Sequence, residues 1–124
     1  KDTRPSEKDC IFLCSHEPCS LCLSAITFSG FDNFYYLFPY KITDNEFSIP
    51  HDLKILKEVF KVNNGEYNKE NSYWKSHSIH MLIEKLSTLK KEKFMNQLEK
   101  IKKSYIILSN RYQASKNENF IPLK

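Results

Sequence analysis

The stretch CIFLCSHEPCSLCLSAITFSGFDNFYYLF, from Cys10 to Phe38, decides the predicted fold. Its first part, CIFLC, is a short apolar run that predicts a buried strand over Cys10–Cys14. A helix is predicted to begin at Pro18 and to end at Ser29-Gly30, because proline suits a first helical turn and glycine a helix end. The aromatic run NFYYLF predicts a second strand, which Pro39 terminates. Strand, helix and strand with short connections predict a parallel βαβ unit and therefore an α/β fold.

The chain after this unit is predicted to be mostly helical. One amphipathic helix is expected over residues 51–62, ended by Asn63-Asn64-Gly65, and an irregular segment over residues 65–76. From Ser78 onward we expect helix, with an apolar stripe at alternating steps of four and three: Phe94, Leu98, Ile101, Tyr105, Leu108 and Tyr112. The predicted organisation is an α/β part over residues 1–62 and a mostly helical extension over residues 63–124. This extension would pack on the same domain or on a partner.

Length, composition and charge limit the classes of protein to which the chain can belong. A chain of 124 residues with 40% hydrophobic and 14% aromatic residues is enough for one folded domain. The net charge of +4 comes mostly from lysines after Lys85, which alternate with glutamates as on a solvated helix face. The uncharged stretch from Pro18 to Gly30 is too short for a membrane-spanning helix, and the polar start KDTRPSEKD is not a secretory signal. We therefore expect a cytoplasmic protein without a membrane partner.

The four cysteines, Cys10, Cys14, Cys19 and Cys22, lie within thirteen residues. In a reducing compartment this clustering favours metal or catalytic use over disulfides. Cys19 and Cys22 are three residues apart, so one helix face can present both thiols to one ion, and a helix N-terminus favours their thiolate form. Cys10 and Cys14 share one face of the predicted strand and are expected to be buried small hydrophobes. A lone C-x-x-C is also typical of zinc ribbons and redox motifs, and four ligating cysteines would indicate a zinc-ribbon or iron-sulfur module.

The segment HEPCSLCLSAI resembles the second zinc motif of the cytidine-deaminase-like superfamily, in which H-x-E is followed later by P-C-x-x-C. The flanks, E-P-C-x-x-C and Ala25-Ile26, are more similar to the guanine deaminase and tRNA adenosine deaminase branch. The resemblance covers Cys10 to Tyr40. It continues faintly through Thr43, Phe47 and Asp52 and ends at Val62.

This resemblance implies a zinc-dependent hydrolytic deaminase with a partial cytidine-deaminase-like fold. Cys19 and Cys22 would be zinc ligands, and zinc-bound hydroxide would attack the amino-bearing ring carbon of a nucleobase, nucleoside or nucleotide, releasing ammonia. In the family, backbone groups beside the motif line the base pocket, so Ser15, His16 and Glu17 are the predicted substrate contacts. The glutamate before Pro-Cys is not the catalytic one, and Glu17 is expected to cap or pair near the helix start.

The other family motif is absent from these residues, because none of the four histidines has a glutamate two positions later. No catalytic residue is therefore predicted in this chain. The missing N-terminal half of the domain could be a separate chain, an upstream part of a longer protein, or lost, and we expect the second. The implied partners are that half, a second copy in a homodimer, and a small-molecule substrate or tRNA. The alternative function is a non-catalytic zinc-stabilised module whose helical tail binds a protein or RNA.

Overall fold

A computed structural model describes residues 3–123, so that Lys1, Asp2 and Lys124, at the ends of the two predicted segments, lie outside the described residues. Within this range, three parallel strands form one sheet in the order β1-β2-β3. The strands are β1 (Leu13–His16), β2 (Asn33–Phe38) and β3 (Lys75–Ser78). Helix α1 (Ser20–Ser29) connects β1 to β2. The predicted α/β class and its parallel βαβ unit are confirmed.

Four further helices follow β2, namely α2 (Tyr40–Asn45), α3 (His51–Phe60), α4 (Ile79–Glu84) and α5 (Thr88–Ser115). Short 3-10 turns occur at Glu7–Asp9, Asn63–Gly65 and Lys116–Glu118. Helix α3 ends slightly before the predicted stop, because Lys61 already has a left-handed backbone with φ of 56°. The single helix predicted from Ser78 is two helices, and α2 was not predicted.

Strand β1 begins three residues later than the predicted strand at Cys10. The reason is the side chain of Asn33, at the start of β2. Its Oδ1 accepts a hydrogen bond from the Phe12 N–H at 3.1 Å, and its Nδ2 donates to the Cys10 carbonyl at 2.9 Å. Backbone pairing between the two strands starts at the Phe12 carbonyl, which accepts from the Tyr35 N–H at 2.8 Å, and Leu13 lies opposite Tyr35.

Strand β3 lies in the segment predicted to be irregular up to Ser76 and helical from Ser78. Its sequence, KSHS, is polar and gives no apolar strand pattern. It is a strand because its backbone pairs with β2 over four register positions, from Asn33 opposite Lys75 to Tyr36 opposite Ser78. The sheet therefore extends across the predicted segment boundary at residue 62.

Two clusters of buried side chains hold the helices to the sheet. The first contains Ile26 of α1, Phe34 and Tyr36 of β2, and Trp74. The Trp74 indole N–H donates to the Thr27 hydroxyl at 2.8 Å, which ties the chain before β3 to α1. Leu21, Ala25 and Ile26 recur at helical spacing on α1, but only Ile26 is buried, whereas Leu21 is 76% exposed and Ala25 is exposed. Leu23 packs inward instead.

The second cluster joins α4 and α5 to the sheet through Phe38, Phe47, Ile83 and Leu98. Tyr105 packs against it, and the Ser109 hydroxyl donates to the Phe47 carbonyl. Helix α5 therefore lies on the same domain as β2, as one of the two predicted arrangements has it. Half of the predicted stripe faces away from this core, because Phe94, Ile101 and Leu108 are 38–52% exposed.

Strand β1 is at the edge of the sheet that residues 3–123 form. Apolar side chains near that edge are open to solvent: Ile11 is 74% exposed and Leu13 is 64% exposed. On α1, Phe28 is 92% exposed in addition to Leu21. This side of the unit thus combines an open strand edge with large exposed apolar side chains, which soluble proteins usually cover.

Candidate functional site

The C-x-x-C motif lies directly after β1, where the chain turns into α1. Cys19 is the N-cap residue, with extended backbone (φ −65°, ψ 171°), and its carbonyl accepts the first helical hydrogen bond, from the Leu23 N–H at 2.8 Å. Cys22 follows in the first turn and is exposed. The two sulfur atoms, Cys19 Sγ and Cys22 Sγ, are 3.5 Å apart. The structure thus brings both predicted metal ligands together at the surface.

This separation fits two ligands of one tetrahedral zinc ion. Two sulfurs each about 2.3 Å from a zinc ion lie roughly 3.8 Å apart at the tetrahedral angle. The thiols therefore need only a small side-chain adjustment to share an ion. Among residues 3–123, no three His, Cys, Asp or Glu side chains come together as a metal site. The donor set in the described part of the chain is a pair of thiols.

The electrostatic surroundings of Cys22 differ from the prediction. Partial burial raises the pKa of the Cys22 thiol, and the neighbouring Cys19 thiol raises it further through a hydrogen bond. The carboxylate of Asp52, at the start of α3, adds a smaller contribution in the same direction. A backbone hydrogen bond from Cys19, at the helix start, lowers the pKa in the predicted direction, but the other contributions outweigh it. Binding a cation would therefore release protons from this pair.

The other two cysteines do not belong to this pair. Cys14 packs half-buried against the first core cluster, where its Sγ donates to the Tyr35 carbonyl at 3.2 Å. Burial is the main cause that raises the pKa of the Cys14 thiol to about 11. Cys10 precedes β1 and is partly buried, with its carbonyl held by Asn33. The packing role predicted for Cys14 agrees with these contacts.

The three predicted substrate contacts point to different surroundings. The Ser15 hydroxyl lies 2.9 Å from His16 Nδ1. The His16 ring lies among the aromatic rings of the second cluster, with centroid distances of 5.5 Å to Phe38, 5.2 Å to Phe47 and 4.9 Å to Tyr105. Of the three residues, Glu17 has its side chain in a polar environment that is almost fully buried.

Burial in this aromatic cluster lowers the pKa of His16. The unfolded chain therefore binds a proton at His16 below its ordinary pKa of about 6.5, where the folded chain does not. We expect the free energy of unfolding to fall as the pH drops from 7.5 to 5.5, and to fall less in a His16→Gln variant. Urea unfolding at both pH values measures this difference. Equal losses in the two proteins would contradict the prediction.

Glu17 is the centre of a buried polar group that we call the Glu17 cluster: Glu17, Tyr40, Tyr67 and Lys69. The Glu17 side chain is 3% exposed. Its Oε1 accepts hydrogen bonds from Lys69 Nζ at 2.8 Å and from the Tyr67 hydroxyl at 2.9 Å. Its Oε2 accepts from the Tyr40 backbone N–H at 3.0 Å. The predicted pairing of Glu17 near the helix start agrees with these contacts.

Tyrosine hydroxyls around this carboxylate are held in their protonated form. Burial raises the pKa values of Tyr36, Tyr40 and Tyr67, and the negative charge of Glu17 raises all three further. Protonated hydroxyls can donate, and Tyr40 donates to the Pro18 carbonyl while Tyr67 donates to Glu17. Sequence reasoning missed Tyr40, Tyr67 and Lys69. Tyr67 and Lys69 lie about fifty positions after Glu17 in a segment without a motif, so no local signal indicates them.

A cavity of about 680 Å³ opens beside the Glu17 cluster, at the carboxyl ends of β2 and β3. Crevices at the carboxyl ends of parallel strands are the usual ligand sites of α/β folds, and this volume is typical of small-molecule pockets. Most of its wall surface is apolar, with charged and hydroxyl groups distributed among the apolar ones. The polar residues around it are Glu17, Tyr36, Tyr40, Lys41, Asn45, Asn64, Glu66, Lys69, Ser78 and His80.

The three residues after β2 that faintly resemble the deaminase family, Thr43, Phe47 and Asp52, have separate roles. Thr43 and Phe47 are buried, and Phe47 is part of the second core cluster. Asp52 is partly buried, which raises the pKa of its carboxyl group, and it lies close enough to Cys22 and Tyr40 to raise their pKa values. Asp52 is therefore the acidic side chain that links the thiol pair electrostatically to the Glu17 cluster.

Comparisons of the chain with protein families, with curated proteins and with solved structures found no match. Within residues 3–123, no helix is both long and apolar enough to cross a membrane. The site is thus defined by its own geometry. It consists of an exposed thiol pair at a helix N-terminus, a buried carboxylate cluster, and beside that cluster a cavity whose lining includes neither thiol.

Proposed function

We propose that the chain supplies the P-C-x-x-C part of a zinc-dependent hydrolytic deaminase that acts on a nucleobase, nucleoside or nucleotide. The observation that carries this proposal is the 3.5 Å separation of Cys19 Sγ and Cys22 Sγ at the first turn of a helix that follows a parallel strand. The order of strand, motif, helix and strand from Leu13 to Phe38 is the one that the resemblance implies.

Cys19 and Cys22 would hold the zinc ion, and helix α1 would orient them. When bound, zinc supplies a water molecule of lowered pKa for attack on an amino-bearing ring carbon. The cavity beside the Glu17 cluster supports a small-molecule substrate because its volume of about 680 Å³ suits one. The contacts of Ser15 and His16 with substrate stay predictions. Both carboxylate oxygens of Glu17 and its backbone N–H, which donates to the Phe38 carbonyl at 2.8 Å, already have partners.

The proposal includes a second segment of polypeptide with a histidine ligand and a proton-carrying glutamate in the H-x-E arrangement. Two features support a partner for this unit: the open edge of β1, and the exposed apolar side chains of Ile11 before β1, Leu13 in β1 and Phe28 on the thiol-bearing helix. A homodimer, a cytoplasmic location and a purine or tRNA substrate belong to the same proposal.

Replacing Cys19 with alanine is expected to weaken zinc binding at least about a hundredfold, because one thiol alone cannot chelate the ion. Competition with a chromophoric chelator measures the zinc dissociation constant. Cys10→Ala is the matched control, since Cys10 precedes β1 and belongs to no thiol pair, and it should stay within about twofold of the wild type. Equal zinc affinity of the Cys19→Ala variant and the wild type would contradict the proposal.

The activity is tested on a polypeptide that contains both this chain and an H-x-E segment. We expect ammonia release from at least one of guanine, adenosine, cytidine and dCMP, and no release after Cys19→Ala. Bound zinc without ammonia release from any of them would favour the non-catalytic zinc-stabilised module over the deaminase.

A further inference from the structure

Different parts of the chain hold the two thiols in place. Cys22 belongs to α1, which Leu23 and Ile26 anchor in the first core cluster. Cys19 is the N-cap, so its backbone is outside the helical conformation and its direction depends on the two residues before it. The distance between the sulfurs is therefore set by the core on one side and by Glu17-Pro18 on the other.

Glu17 and Pro18 are fixed by side chains from distant positions. The Glu17 carboxylate accepts hydrogen bonds from Lys69 Nζ at 2.8 Å and from the Tyr67 hydroxyl at 2.9 Å. The Tyr40 hydroxyl donates to the Pro18 carbonyl, and the Tyr40 N–H donates to Glu17. Since Tyr67 and Lys69 precede β3, a segment some fifty residues away holds the chain that enters the motif.

Lys69 itself has little freedom to move. Its Nζ donates to the Gly65 carbonyl at 3.1 Å as well as to Glu17, and it lies 3.7 Å from the centroid of the Tyr67 ring. An ammonium group held by a carboxylate, a carbonyl and an aromatic face is a well-defined donor. The Glu17 carboxylate is in turn held in one orientation.

We propose that Lys69 and Tyr67 are positioning residues for metal binding: by holding Glu17 they fix Pro18-Cys19, so that Cys19 Sγ stays within reach of the ion held by Cys22. This inference rests on the proposed function in taking zinc as the metal. It adds residues outside the motif that determine metal affinity. Groups that orient metal ligands in this way commonly change metal affinity 10–100-fold when they are removed.

A purely electrostatic role of Lys69 makes the opposite prediction. Removing a positive charge near a cation site would strengthen the binding of a divalent ion, whereas loss of positioning weakens it. The sign of the change in zinc affinity therefore separates the two roles. Lys69→Arg keeps the charge and can still donate to Glu17. If positioning by this contact determines zinc affinity, Lys69→Arg should recover part of the affinity that Lys69→Met loses.

The test compares Lys69→Met and Tyr67→Phe with the control Lys75→Met in the full 124-residue chain. Lys75 is a suitable control because it also pairs with a glutamate, the exposed Glu70 at 3.0 Å, and does not contact Glu17. Zinc affinity, the thiolate-to-metal absorption of bound Co²⁺, and binding of the dithiol reagent phenylarsine oxide are measured. We expect 10–100-fold weaker binding in Lys69→Met, a several-fold loss in Tyr67→Phe and less than a twofold change in Lys75→Met.

Far-UV circular dichroism verifies that each variant is folded. Wild-type affinities in a folded Lys69→Met variant would overturn the proposal. If that variant does not fold, Tyr67→Phe decides instead, because it removes a single hydroxyl, and wild-type affinities there would overturn the proposal. If the wild type binds the arsenical but no zinc, the proposed function fails while the order of arsenical affinities still tests the positioning. A wild type that binds neither reagent overturns the positioning as well.

Discussion

Replacing Glu17 with alanine is expected to lower the free energy of unfolding by about 3 kcal/mol. The change leaves the Tyr40 N–H and the Tyr67 hydroxyl buried without their acceptor, and each such loss costs about 1–3 kcal/mol. Lys69 adds less, because its side chain is 38% exposed, so that water partly solvates it and it keeps its bond to the Gly65 carbonyl. Urea denaturation at neutral pH measures the change. A domain of this size is marginally stable, so a loss of this size is a large share of its stability.

Glu17→Gln is the informative control for this prediction. It keeps the size of the side chain and one acceptor oxygen but removes the charge, so we expect a loss of about 1–2 kcal/mol. In Glu17→Ala combined with Lys69→Met, the loss should be smaller than the sum of the two single losses, because both partners of one ion pair are then absent. Additive losses would show that Glu17 and Lys69 do not act on each other.

Replacing Gly65 with alanine is expected to cost about 3 kcal/mol of stability, for two separate reasons. The backbone at Gly65 has φ of +67°, which strains any residue with a Cβ. A Cβ there would also lie 2.5 Å from Tyr40 Cδ2 and 3.1 Å from Leu53 Cδ2. The Tyr40 ring cannot easily move away from the added Cβ, because its hydroxyl donates a hydrogen bond to the Pro18 carbonyl. Thermal and urea unfolding measure the loss.

Gly30 provides the control that separates the steric clash of a Cβ from the strain of the backbone. It also has a left-handed backbone, with φ of +87°, at the end of α1, but a Cβ there would meet no atom within 4 Å. Gly30→Ala should therefore cost only about 1 kcal/mol, the backbone part of the penalty. A Gly65→Ala loss no larger than that of Gly30→Ala would mean that the packing against Tyr40 is loose. It would also weaken the view that the Glu17 cluster is rigid.

The Glu17 cluster contacts both the cavity and the chain that precedes the thiol pair. Tyr40 lines the cavity with its ring, donates to the chain before Cys19 and lies close to Asp52. A change that loosens this tyrosine therefore acts on both the pocket and the metal ligands. This connection explains why the largest expected losses of stability fall on residues beside the site and not on the outer helix α5.

The sequence was sufficient to predict the βαβ unit, because residues close together in the chain determine where each of its strands and its helix begins or ends. Gly30 ends α1 with a left-handed backbone, Pro39 ends β2, and the aromatic run NFYYLF alternates buried and half-buried side chains along β2. The spacing of Cys19 and Cys22 was also sufficient to predict that their side chains meet, since residues three apart share a helix face. These features depend on neighbours a few positions away.

The tertiary structure alone decided the features that join distant segments. Strand β3 is a polar tetrapeptide that exists through backbone pairing with β2, and the face of α1 that is buried depends on where Trp74 packs. The Glu17 cluster joins residues 17, 40, 67 and 69, whose contacts no local pattern encodes. The raised pKa of Cys22 likewise follows first from burial, which depends on how the chain folds around it. The physical reason is common to all four: hydrogen bonding and desolvation depend on proximity in space, which the chain acquires only when it folds.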